Sequence, residues 1–91
     1  MNPDQLFAIA HELRHIWQMN DRERYLSDYK IVDQCSSCEE YNLQIAELDA
    51  NAFAGLVMID FFHLKPQFDD VPESIWSKIY EQMDRIIESL K

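Results

Sequence analysis

A single glycine, Gly55, serves a chain of 91 residues, with only three prolines beside it. Folds built from many short strands need a turn former every few residues, so an all-β architecture is not expected. Helices need far fewer. Apolar residues recur three or four positions apart in three blocks, which is the helical period. The first block opens on "NPDQ", where Asn2 can cap, Pro3 suits the first helical position and Gln5 completes a capping-box spacing. Leu6, Ile9, Leu13 and Ile16 then form an apolar stripe through about Gln18, with Phe7, His11, Glu12 and His15 beside it.

Ser37 and Glu40 in "SCEE" offer a second capping box. Helical spacing continues from there to about Phe62, with Leu43, Ala46, Ala50, Phe53, Ala54, Val57 and Phe61 as the expected inner stripe. Gly55 weakens the middle of this helix or lets another backbone approach closely. "HLKPQFDDVP" interrupts the chain, and Pro72 with Asp69 and Asp70 marks a third helix start. Ile75, Ile79, Met83, Ile86 and Leu90 form its stripe. Residues 19–37 are a mostly polar connector, in which only "YKIV" could be a short extended piece. The expectation is one mainly α domain over residues 1–91: a small three-helix bundle, helices at about 3–18, 38–62 and 72–90, without a substantial β-sheet.

Net charge is −9, from 17 acidic and 8 basic residues. Binding nucleic acid needs clustered lysine and arginine, and the only basic cluster, Arg22 and Arg24, is neutralised by its neighbours, so none is expected. No apolar run is long enough to span a membrane. "MNPDQLF" lacks the basic and apolar regions of a secretory signal, so a cytoplasmic location is expected.

The chemistry concentrates in "HELRH", residues 11–15. On a helix, positions i and i+4 share a face, so His11 and His15 can offer ring nitrogens to one tetrahedral ion. Glu12 can then take a proton from a water on that ion, the mechanics of an HExxH metallopeptidase. A hydrolytic zinc site also needs a third protein ligand. Glu47 in "AELDANAFAG" can supply a carboxylate, with Asn51 four residues on, holding a neighbouring ligand by hydrogen bonds. Asp49 is the rival ligand, but it projects about 200° around the helix from Glu47.

"HELRH" followed by "ELDANAFA" (47–54) resembles the glutamate-zincins, most closely the ImmA/IrrE family of bacterial and phage metallopeptidases. The likeness covers two helices, somewhat over a third of the chain. It implies Zn²⁺ bound by His11, His15 and Glu47, Glu12 as general base, Asn51 supporting a ligand, and a protein or peptide substrate. Arg14 stands where that family usually has glycine. Only ten residues precede His11, too few for the strand sheet that aligns substrate in zincins. The resemblance therefore implies a pared-down zincin, or a surface supplied by a partner chain or a second copy.

A zinc hydrolase also needs a donor for the developing oxyanion. Tyr25, Tyr29, Tyr41 and Arg14 are the candidates, with Tyr29 preferred. His63 lies sixteen residues from Glu47, roughly 24 Å along a helix, so it is read as a C-terminal residue favoured by the dipole. Trp17 and Trp76 are expected in the core. "CSSC" (35–38) reads as two quiet loop thiols, against an intersubunit metal site or a regulatory disulfide. The rival to catalysis is an acidic helical interaction module, with zinc as a structural staple or with no metal at all.

Overall fold

The computed structural model describes residues 2–91, and among these no strand occurs. Five α-helices follow one another: α1 (Pro3–Gln18), α2 (Arg22–Leu26), α3 (Cys38–Leu43), α4 (Ile45–Phe62) and α5 (Glu73–Ser89). Short 3₁₀ turns at Met19–Asp21 and Val32–Gln34 divide the connector, and "YKIV" pairs with no strand. Three long helices carry the fold, as the apolar periods predict. No helix is long and apolar enough to cross a membrane.

The expected helix over 38–62 is two helices. Gln44 leaves the helical conformation at φ −61°, ψ 142°. Its side-chain amide donates to the Lys30 and Tyr41 carbonyls and accepts from the Lys30 backbone N–H. A residue with spare donors and an acceptor thus offsets the lost helical bonds and ties the connector to the break. The caps follow the sequence more closely. Asn2 and Gln5 make the full reciprocal box. Ser37 caps α3, but Glu40 turns instead to Ser36.

α4 is the central helix, packed against both α1 and α5. α1 runs antiparallel to it, pairing Gln18 with Ala46, Arg14 with Asp49 and His11 with Asn51. Alanines at 46, 50 and 54, fully buried, let the two backbones approach. On the other side Ile75, Ile79, Met83 and Ile86 of α5 are buried. Each such side chain contributes about 1.5–3 kcal/mol. Phe68 comes from the segment between α4 and α5 and is 2% exposed. Its ring meets Phe7, Trp76 and Tyr80 edge-on, at centroid distances of 5.6, 5.9 and 6.2 Å.

Several sequence expectations fail in an instructive way. Ile9, Leu13 and Ile16, the stripe of α1, are 46%, 56% and 63% exposed, and α1 buries Ala10 and Gln18 instead. Trp17 is half exposed, its ring covered by the Arg14 guanidinium at 3.7 Å. Leu43, Phe61 and Leu90 are also exposed. Gly55 faces the Phe68 and Met83 side chains rather than another backbone: an added Cβ would lie 3.3 Å from Phe68 Cζ. His63 ends α4 in the left-handed region, φ 54°, with Leu64 N bonded to the Met58 carbonyl. That closure normally takes glycine, so His63 has a capping role as well as a position at the dipole's negative end.

Candidate metal centre

One helical turn of α1 brings His11 and His15 to the same side, and α4 supplies Glu47 opposite them. His11 Nε2 lies 3.3 Å from Glu47 Oε1, and His15 Nε2 lies 3.2 Å from Oε2. The two Nε2 atoms are 3.0 Å apart. Three ligands of one tetrahedral ion, with bonds of about 2.0–2.1 Å, would stand roughly 3.3 Å from one another. The two nitrogens have that spacing from each other, and each has it from its own oxygen of the Glu47 carboxylate.

The outer nitrogens set how the inner ones face Glu47. His11 Nδ1 meets Asn51 Oδ1 at 2.9 Å, and His15 Nδ1 meets Gln18 Oε1 at 2.9 Å. Amide oxygens only accept, so each Nδ1 carries a hydrogen, and a neutral ring then presents a lone pair at Nε2. Two lone pairs and a carboxylate then converge on one point. Such a set repels itself unless a proton or a metal ion stands among its members. The residues present therefore fit a divalent ion with nitrogen and oxygen ligands.

Without an ion, a proton takes its place among these groups. Burial pushes the Glu47 carboxyl up, but bonds from His11, His15 and Tyr29 outweigh it and hold the group well below the usual carboxylate range. His15 is raised, first by its bond to Glu47, with burial opposing and Gln18 assisting. Tyr29 donates to Glu47 Oε2 at 2.7 Å and sits 3.0 Å from the Tyr41 hydroxyl. Burial first, then the bonds to Tyr41 and Glu47, push its phenol far up. Gln44, by gripping Lys30, holds the neighbouring Tyr29 over α4.

His11 and His15 side chains are 18% and 23% exposed, against 3% for Glu47. His11, Glu12 and Glu47 open on a cleft of about 620 Å³, lined also by residues 67–71 and by Cys38 and Tyr41. Glu12 is exposed, and His11, Glu12 and His15 each bring a donor atom within 4.8 Å of the others. Asp4, Asp69 and Asp70 also line the cleft, and among the described residues no lysine or arginine does.

The structure thus brings together His11, Glu12, His15, Glu47, Asn51 and Tyr29. Tyr29 was expected as an oxyanion donor, but its hydroxyl is engaged with Glu47. Arg14 is likewise committed, bound through Nε and Nη2 to Asp49 at 2.7 and 3.1 Å. Asp49 faces away from the histidines and is no ligand rival. Cys35 and Cys38 are free thiols; Cys38 is exposed at the start of α3. Gln18 escaped the sequence reading, although its spacing of three from His15 put it within reach. Comparison with family models, with curated proteins and with solved structures finds no match.

Proposed function

We propose that this chain is a zinc-dependent metallopeptidase-like hydrolase acting on a protein or peptide substrate. The observation that carries this reading is the convergence of the His11 and His15 Nε2 atoms on the buried Glu47 carboxylate, with His11, exposed Glu12 and Glu47 lining one cleft. His11, His15 and Glu47 would hold the ion. When bound, zinc would polarise the scissile carbonyl and lower the pKa of a water molecule beside it. Glu12 takes the proton from the attacking water and returns it to the departing amine. Asn51, Gln18 and Tyr29 keep the ligands oriented, so that little reorganisation accompanies the reaction.

The partial exposure of both histidines and the adjoining cleft support a site with an open position, which catalysis requires. A purely structural zinc would be enclosed by four protein ligands. The acidic lining of the cleft favours peptides carrying lysine or arginine, and these are the substrates to try first. Hydrolysis of a fluorogenic library of such peptides, with and without zinc, tests the reading. Glu12→Gln is expected to reduce turnover by at least 100-fold while leaving zinc content and the melting temperature unchanged. Equal hydrolysis by wild type and Glu12→Gln would remove the catalytic reading. Zinc binding without any hydrolysis would leave the interaction module as the better description.

A further inference from the structure

Behind the histidines lies a set of polar groups more deeply buried than the site itself. Gln18 and Asp49 are both 0% exposed. The Gln18 amide nitrogen donates to the Ala46 carbonyl at 2.9 Å and to Asp49 Oδ2 at 3.0 Å. Both of these partners only accept. Gln18 Oε1 is therefore the atom left facing His15 Nδ1.

A flipped amide would set its oxygen against the Ala46 carbonyl and the Asp49 carboxylate, oxygen on oxygen in a dry interior. It would also present N–H to His15 Nδ1. The ring would then shift its hydrogen to Nε2 and could no longer offer that atom to a metal. Asp49 is itself held from two sides, by the Arg14 fork and by Gln82 Nε2 at 3.1 Å. Gln82 in turn accepts from Arg85 at 3.3 Å. One connected chain of bonds thus runs from α5 through α4 to the outer nitrogen of His15.

We propose that Gln18 and Asp49 are positioning residues of the metal centre: Asp49 fixes the orientation of the Gln18 amide, and Gln18 fixes the tautomer of His15. The inference rests on the reading of His15 as a ligand, and it gives Arg14 a reason to stand inside the HExxH turn. Its guanidinium grips the buried Asp49 carboxylate through two nitrogens.

The test is zinc affinity, by chelator competition, for wild type, Gln18→Met, Asp49→Asn and the double variant, each shown folded by circular dichroism. Gln18→Met is expected to weaken zinc binding about 10–100-fold. Asp49→Asn should weaken it as well, and the double variant should be no weaker than Gln18→Met alone, because Asp49 acts through Gln18. Ile79→Val, a core change with no bond to the site, should leave affinity within about twofold. Folded Gln18→Met with wild-type affinity, or strictly additive losses, would overturn the proposal. The ring-nitrogen NMR shifts of His15 in metal-free protein at alkaline pH give a second readout. Wild type should show one tautomer, with hydrogen on Nδ1, and Asp49→Asn a mixture; a single tautomer in both overturns the relay. If wild type binds no zinc, the hydrolase reading fails, while these shifts still decide the relay.

Discussion

The two long helices that flank α4 bury opposite kinds of surface. α5 turns Ile75, Ile79, Met83 and Ile86 inward, as its apolar period predicts. α1 has an equally regular period but leaves Ile9, Leu13 and Ile16 in solvent and presses Arg14, Gln18 and the two histidines against α4. Burying charge and amide groups where isoleucine and leucine were on offer costs free energy, unless the buried set is fully paired. It is: among the described residues every buried side-chain nitrogen and oxygen has a hydrogen-bond partner. An exposed leucine means little, whereas a buried polar face points to function. α5 packs the apolar core, and α1 carries the polar face of the candidate site.

That contrast can be broken from either side. The largest effect should come from Arg14→Met, which leaves the Asp49 carboxylate buried and short of its cation. Urea denaturation is expected to show a loss of about 3–5 kcal/mol. A loss under 1 kcal/mol would mean that the polar face of α1 is not tightly packed. Ile79→Ala on α5 should cost about 2–5 kcal/mol through the cavity it opens, and it should do so equally with and without zinc. Asn51→Ala sharpens the division, because it should weaken zinc binding about 10–100-fold with a smaller effect on metal-free stability.

The pH dependence follows from the same pairing. In metal-free protein His15 is raised above its ordinary 6.5, first by its bond to Glu47, so its contribution is complete below 6.5 and is lost as pH rises through the folded value. Glu47 is lowered from 4.5: burial opposes this, and the histidine and tyrosine bonds outweigh it. Its contribution is complete above 4.5 and is lost as pH falls below that toward the folded value. Metal-free stability should therefore peak between 4.5 and 6.5, and thermal melts in chelator should decline above that window. With zinc in place of the proton, the decline should vanish or reverse. Identical pH profiles with and without zinc would separate the histidines from the metal. The smallest effect belongs to the outer stripe, where Ile16→Gln should change stability by no more than about 0.5 kcal/mol.

Much of this was legible in the residues. Sparse turn formers and three apolar periods gave the helical class, and the start of α1 follows from Asn2, Pro3 and Gln5. The i, i+4 rule placed His11 with His15, and Glu47 with Asn51, each pair on one face. Which face of α1 turns inward was not legible, since apolar periodicity assumes that the greasy side wins. The break at Gln44 depends on bonds to Lys30, fourteen residues away, which no local pattern records. Phe68 sits in a segment read as a chain break, and only the packed structure shows it as a core residue. Tyr29 was expected as an oxyanion donor, whereas its hydroxyl bonds to the Glu47 carboxylate, a contact no local pattern records.

Zinc content by mass spectrometry, on wild type and Glu47→Ala purified and titrated under the same conditions, tests the metal centre most directly. The convergence of His11, His15 and Glu47 predicts about one zinc per wild-type chain and its near-complete loss in the variant. Folded wild-type protein that takes up no zinc, or a Glu47→Ala protein that holds it as well, would contradict it.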